Sequence, residues 1–328
     1  MSELRVGLVG LGMMGANHSR ILSELNNVNF VGIYDSIPLA EKKMPNVKTF
    51  VSVNELISQG LDYCVVATPT ASHEDIALEL LKNKIHILIE KPISHTYQSA
   101  IKIVNAAADS KVIGGVGHIE RYNSALGQAR ERMLKGELGT IYQISTRRQG
   151  PYPSRIADVG VVKDLATHDI DIVRWLTEKK YLSISSQTVQ RSFRGHEDMV
   201  SAIGELEDGI IVNHTVNWLS PLKERKTIIT GEKGTFVVDT LRSDLTFYVN
   251  GITGVFQKEL AHFRGVTQGD IINFAFDKPE PLLVEHLEFQ KAVSGRASNV
   301  VTLADGAETL RVAEGMLESS AHGRTIKL

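Results

Sequence analysis

The chain of 328 residues has one cysteine, two tryptophans and an aromatic content of only 6%. A single cysteine excludes an intrachain disulfide framework and any cysteine-rich zinc module. Set in the apolar run DYCVVA, Cys64 reads as a small buried hydrophobe rather than a nucleophile. Neither charge is in excess: 36 Lys and Arg stand against 38 Asp and Glu, a net −2. That balance argues against a nucleic-acid partner, which calls for a basic patch or stripe. No apolar stretch approaches the ~20 residues of a membrane span, and MSELRVGLVG lacks a signal-peptide layout. A cytoplasmic protein with no membrane partner is therefore expected. Internal repeats and low-complexity linkers are missing too. What is present, 42% apolar and 23% charged residues, is ordinary for a soluble protein, and the length suits two cores rather than one.

The first third carries a dinucleotide pattern. A short apolar run, Leu4 to Val9, leads into Gly10-x-Gly12-x-x-Gly15 and then a helical periodicity with Ile21, Leu22 and Leu25. The next strand-like run, NFVGIYD, ends at Asp35, twenty residues after Gly15. The glycines alone are weak evidence; strand, glycines, helix and late acid together are strong. Gly10 permits the tight turn, Gly12 lets the backbone approach a pyrophosphate, and Gly15 lets helix and strand pack closely. Asp35 can accept from a ribose diol and would repel a 2′-phosphate. Ser36 follows it rather than an arginine, so NAD is favoured over NADP. Apolar runs without alternation (LDYCVVATP, HILIEKP, KVIGGVGH) separate amphipathic segments. This predicts a doubly wound parallel sheet covered on both faces over residues 1–120. Ligands of such sheets lie beyond the carboxyl ends of the strands. Thr68, Pro69 and Thr70 fall at one such end, and Glu90, Lys91 and Pro92 at another. Pro92 restrains Lys91 to an extended conformation.

After GVGHIERYN the texture changes. One helix is expected to end at Gly136, followed by the strand-like pieces TIYQISTRR, LSISSQTVQ, MVSAIGEL, IIVNHTVNW, KTIIT, TFVVDT and DLTFYVNG. The last alternates cleanly, which marks an antiparallel sheet with one wet face. PLLVEHLEFQKAV and LADGAETLRVAEGMLESS read as closing helices. Residues 121–328 are thus expected to form an α+β domain on an open, mostly antiparallel sheet.

The segment VVKDLATHDIDIVRW crowds Lys163, Asp164, His168, Asp169 and Asp171 together. Its apolar spacing suits a helix on which Asp164, His168, Asp171 and Trp175 form one stripe. Asp164 and His168, four apart, can address a common point. Asp169 falls inside the apolar arc and has no partner evident in the sequence, though a buried carboxylate needs one. A solvated face would spread its charges as ion pairs. A metal site would need more ligands than Asp164, His168 and Asp171, and no second histidine-rich segment supplies them. Beside a nicotinamide site, a histidine oriented by a carboxylate suits the movement of a hydroxyl proton near neutral pH.

Gly10-Leu11-Gly12-Met13-Met14-Gly15, Glu90-Lys91-Pro92 and Asp164-x-x-x-His168-x-x-Asp171, in this order, resemble the Gfo/Idh/MocA family of NAD(P)-dependent oxidoreductases. The resemblance spans nearly the whole chain. It implies a Rossmann domain followed by the open-sheet domain, and a catalytic set of Lys91, Asp164 and His168. His168 would take the proton of a secondary sugar hydroxyl as hydride leaves for the nicotinamide. Lys91 would hydrogen-bond the reacting oxygen, and Asp164 would orient substrate and His168. The cofactor would be held by Gly10, Gly12, Met13, Met14, Gly15, Asp35, Ser36, Thr68, Pro69, Thr70, His73, Glu90 and Lys91. Substrate contacts would come from Lys91, Arg121, Tyr122, Asn123, Tyr152, Arg155, Lys163, Asp164 and His168. Many members have a glycine between the Asp and the His, where this chain has Ala166. GHIERYN, RRQGPYPSRIADVGVVKDLATHDID and HEDMVSAIGELEDG are similar to the branch that includes UDP-N-acetylglucosamine 3-dehydrogenase. Arg121, Arg147, Arg148, Arg155 and Lys163 would then meet a diphosphate, or serve as solvated surface or oligomer contacts. Tyr152 or Trp218 would stack on the uracil or sugar. A polyol or free-sugar dehydrogenase is the alternative. A non-catalytic NAD-binding regulator is another, although it predicts decay of Lys91, Asp164 and His168, all of which are present. No metal is expected, and a homo-oligomer, dimer or tetramer, would cover exposed sheet.

Overall fold

Six short parallel strands build the first sheet. In chain order the elements are β1 (Leu4–Val9), α1 (Met13–Glu24), β2 (Val28–Tyr34), β3 (Thr49–Phe50), α2 (Val53–Ile57), β4 (Tyr63–Val66), α3 (His73–Lys82), β5 (His86–Ile89), α4 (Tyr97–Ser110) and β6 (Gly114–Val116). These come from a computed structural model that describes residues 3–37, 47–153, 159–192, 195–251 and 267–328. The strand order is β3-β2-β1-β4-β5-β6, every pair parallel. The strands are apolar without alternation because helices cover both faces; all four residues of β4 are buried. The order reverses between β1 and β4, where such sheets open a crevice for ligands. Ser52 and Thr96 cap α2 and α4 by accepting from Glu55 N and Ser99 N, which fixes where those helices start.

The second sheet has nine strands. Its elements are α5 (Ser124–Leu134), β7 (Ile141–Pro151), a π-helical turn (Val162–Ala166), α6 (Thr167–Thr177), β8 (Tyr181–Val189), β9 (Met199–Leu206), β10 (Ile211–Asn217), β11 (Leu219–Gly231), β12 (Gly234–Asp239), β13 (Asp244–Gly251), β14 (Thr267–Asn273), α7 (Pro281–Val293), α8 (Leu303–His322) and β15 (Ile326–Lys327). The order is β14-β13-β12-β11-β7-β10-β9-β8-β15. β10 runs parallel to β7, and the other described pairs are antiparallel. Ile144, Val200, Val212, Ile229 and Phe236 point to one face and pack with Ala125 and Leu126 of α5, Ile172 and Leu176 of α6 and Met316 of α8. The opposite face leaves Ile203, Ile211 and Ile228 at 51, 39 and 37% exposure.

The expected contiguous division, 1–120 and 121–328, is interrupted. Met1–Ile119 groups with Leu282–Arg311, and Glu120–Pro281 groups with Val312–Leu328. Packing explains the exchange. Phe289 of α7 is buried edge-on against Tyr63, ring centroids 5.3 Å apart. Leu303 fills the space beside Gly114, where a Cβ would meet it at 2.3 Å. The two closing helices are apolar in sequence, but apolarity alone does not say which core receives them. Nor does the sequence announce β14, whose residues are mostly exposed and include Gly269 and Asp270.

Candidate active site

In the first unit, β1 ends at Gly10, whose φ of +95° is left-handed backbone that glycine tolerates. A Cβ on Gly10 would lie 2.5 Å from Ala67 O, and one on Gly15 would lie 2.1 Å from Gly10 O. A Cβ on Gly12 would meet nothing within 4 Å, so the loop is open on that side at the start of α1. Asp35 closes over the same loop: Oδ2 accepts from Leu11 N at 2.5 Å and Oδ1 from Ile37 N at 2.7 Å. An open glycine at a helix N-terminus, with a carboxylate anchored beside it, fits a pyrophosphate and an adjoining ribose diol. Met13 and Ser36 are exposed and Met14 is half-buried. Thr68, half-buried, receives a hydrogen bond from Ser72 Oγ at 2.9 Å; Pro69 is exposed and Thr70 is buried.

Two residues expected to touch the cofactor, His73 and Glu90, are buried. His73 is buried, with Nδ1 3.0 Å from Pro92 O and Nε2 2.9 Å from Thr68 O. Its ring ties the two strand-end loops together. Burial lowers its pKa, against the opposing pull of those carbonyls. Glu90 is 8% exposed and lies 3.0 Å from His18 Nε2. Burial would raise its carboxyl, but the bond and charge of His18, with the charge of Lys91, hold it below the ordinary value. Lys91 itself is half-buried, and the Lys91–Pro92 peptide is cis.

In the second unit, Asp164 and His168 are buried, at 2 and 9% exposure, which rules out a solvated face. Residues 162–166 wind as a π-helical turn rather than the expected α-helix, a form often found at functional sites. Glu197 shapes the entry: Oε1 accepts from Val162 N at 3.1 Å, and the carboxyl occupies the place a Cβ on Gly160 would take. Asp169 has its partner. Oδ1 accepts from Arg148 Nε at 2.7 Å, and Arg148 Nη1 reaches Glu120 Oε1 at 2.7 Å. Burial works against both charges of the Arg148–Glu120 pair. The two carboxylates nevertheless keep Arg148 protonated, and Arg148 holds Glu120 below the ordinary carboxyl value.

Arg121, expected at the substrate, forms a two-point pair with Asp171, at 2.8 and 2.6 Å. Asn123, also expected there, caps α5 by accepting from Ala125 N and donates to Thr240 O. Tyr122 is buried. Tyr152 packs edge-on against Trp218 at 5.2 Å. Lys163 is half-buried, with Nζ 3.8 Å from Glu314. Arg155 lies outside the described residues. Reading the sequence missed Arg225, which pairs across the strands with Arg148 and donates to Gln149 O and Glu224 O. Burial and the Arg148 charge push its pKa down to about 10. It also missed His18 and His286, whose rings meet across 268 residues of chain, a separation with no local signal.

Comparison with known proteins identifies the family of both domains. Residues 4–118 match the oxidoreductase family with NAD-binding Rossmann fold, Gfo/Idh/MocA, and residues 126–237 match the C-terminal domain of the same family. UDP-N-acetylglucosamine 3-dehydrogenase of Acidithiobacillus ferrooxidans is 25% identical over 78% of this chain and 82% of its own. Inositol 2-dehydrogenase of Rhodococcus erythropolis is 28% identical over 72% of each. The WlbA dehydrogenase of Bordetella pertussis, solved with NADH and UDP-GlcNAcA, superposes with a TM-score of 0.86 at 21% identity, over 100% of this chain and 98% of that one. The chain belongs to the Gfo/Idh/MocA family of NAD-binding oxidoreductases.

Proposed function

We propose that the protein oxidises a secondary hydroxyl of a nucleotide sugar, with NAD as oxidant, at C3 of a UDP-linked N-acetylhexosamine. The observation that carries this reading is the buried Asp164–His168 pair on a helix anchored by Asp169 and Asp171. Bound NAD supplies the hydride acceptor. His168 accepts the hydroxyl proton, a role for which imidazole is suited near neutrality. Asp164, one turn earlier, orients the substrate and the ring. Lys91 donates a hydrogen bond to the reacting oxygen and stabilises the charge that grows there.

The nucleotide-sugar reading is supported by the Acidithiobacillus relative and by the WlbA complex. Arg121 and Arg148 are committed to Asp171 and Asp169, while Arg147 lies 3.7 Å from Glu224 and Lys163 3.8 Å from Glu314. The same commitment, with the inositol dehydrogenase relative, favours a second reading, a polyol or free sugar. NADH formation with UDP-N-acetylglucosamine against myo-inositol decides between them. Turnover of myo-inositol alone would overturn the first. Replacing His168 with Ala should lower kcat by about 10²- to 10⁴-fold while NAD binding persists; unchanged turnover would remove His168 from its role. The exposed Ile203, Ile211 and Ile228 further support a homo-oligomer. Light scattering should give at least a dimer, and a monomer would refute it.

A further inference from the structure

Behind Lys91 lies a polar cluster that the proposed reaction does not use. Glu90 Oε2 accepts from Lys91 N at 3.1 Å, and Oε1 lies 3.0 Å from His18 Nε2. His18 Nδ1 is 2.8 Å from His286 Nε2, and the rings meet edge-on with centroids 5.0 Å apart. Both histidines are fully buried, and Glu285, next to His286, is 1% exposed. Among the described residues, His286 Nδ1 and both Glu285 oxygens meet no hydrogen-bond partner. A carboxylate only accepts, so His18 Nε2 carries a hydrogen toward Glu90. Burial, together with its neighbours, pushes the Glu285 carboxyl well up and the His286 ring well down, which favours the neutral form of each.

Apolar side chains would fill this space at lower free energy than two histidines and two carboxyls. The cluster therefore calls for a role, and Glu90 links it to Lys91 N just past the end of β5. It also joins α1, the helix that begins at the glycine loop, to β5 and α7.

We propose that His286 and His18 fix the Glu90 carboxylate, and that Glu90 thereby positions Lys91 for the reaction. His18, His286 and Glu90 are positioning residues; none need touch substrate. The proposal rests on the role given above to Lys91.

The test compares His18→Leu, His18→Gln and Lys91→Met in the full-length protein. Displacing a catalytic group by about 1 Å can cost on the order of 10²-fold in rate. His18→Leu should therefore lower kcat by roughly 10- to 100-fold, with KM and NAD affinity within about twofold. His18→Gln, which can still donate to Glu90, should recover most of the rate. A purely structural role would lower stability and yield while leaving kcat per folded molecule intact; that result would overturn the proposal. Should His18→Leu fail to fold, nitrogen-15 spectra of the histidine rings decide without need of turnover. Lys91→Met should shift the His18 and His286 ring resonances through Glu90, and unmoved resonances would refute the linkage. Full turnover by Lys91→Met would sink the role of Lys91 and this proposal together. A dead Lys91→Met beside a normal His18→Leu would sink only the proposal.

Discussion

Replacing Arg148 with methionine tests how the second unit holds α6. The side chains of Arg148 and Asp169 are 4 and 3% exposed, and that of Glu120 is 17%. Methionine fills much of the volume but leaves both carboxylates without their guanidinium. Breaking a buried pair by removing one partner costs about 3–5 kcal/mol. Arg225 sits opposite Arg148 on β11 and shares the field of Asp169 and Glu120, so the lower end, about 3 kcal/mol, is expected. For a unit of this size that is a fall in Tm of roughly 6–12 °C. The pH dependence carries a sign. In the native protein, Arg148 outweighs burial and holds Glu120 below its ordinary pKa. That stabilisation is complete above the unfolded carboxyl range and fades as pH falls through the folded pKa. Without Arg148, only the Thr240 bond and the Arg225 charge oppose burial, so the folded state takes up protons more readily than it does in the native protein. The deficit is therefore largest at pH 8 and shrinks toward pH 5. Calorimetry at both values measures it. Adding Asp169→Leu should recover part of the loss, since an apolar side chain there needs no partner. A fall of less than about 1 °C at pH 8, or equal deficits at both pH values, would refute the reasoning.

Two further outcomes follow from buried contacts. Gly15→Ala puts a Cβ 2.1 Å from Gly10 O, and backbone cannot step aside cheaply. NAD affinity measured by titration should fall at least ~10-fold, with about 1–3 kcal/mol lost in stability; native affinity would show that the loop relaxes freely. His214 is fully buried between Thr146 Oγ1 and Tyr181 OH, at 2.7 and 2.8 Å, and burial pushes its pKa down to about 4 from 6.5. The unfolded chain therefore binds more protons between those values, and about 3 kcal/mol of stability is lost as pH falls through them. His214→Gln should flatten that slope in denaturant titrations at pH 7 and 4.5, and an identical slope would assign the acid sensitivity elsewhere.

Local pattern carried the parts of the molecule that local physics decides. Gly10 and Gly15 are legible because a Cβ at either meets backbone. Most strands of both sheets are legible because burial on two faces or one leaves different periods, whereas the short β3 and β15 and the mostly exposed β14 are not. What stayed hidden depends on residues far apart in sequence. Asp169 found Arg148 across 21 residues, and His18 found His286 across 268. The arginines show the same limit from the other side. Arg121 and Arg148 read as cations available to a diphosphate, but folding commits them to Asp171 and Asp169. A guanidinium in a sequence does not say whether its anion is a ligand or a neighbour. The π-helical turn at 162–166 was hidden for a different reason: Asp164 and His168 lie four apart in either winding, so the pattern cannot tell π from α.

The charges on α6 answer the puzzle that its sequence posed. Successive residues are rotated by about 100° on a helix, so His168, Asp169 and Asp171 leave in three directions. Asp169 goes to Arg148 on the sheet, and Asp171 to Arg121 in the stretch before α5. Apolar Ile172, Val173 and Leu176 fill the core between them. An apolar face alone would tolerate a modest turn of the helix about its axis, because methyl groups repack with little directional preference. Two buried ion pairs on different sides do not, since a turn that relieves one strains the other, and losing either costs about 3–5 kcal/mol. The helix is thereby fixed in rotation, and the direction of His168 with it. Asp169 and Asp171 are thus what aim the residue proposed as the general base.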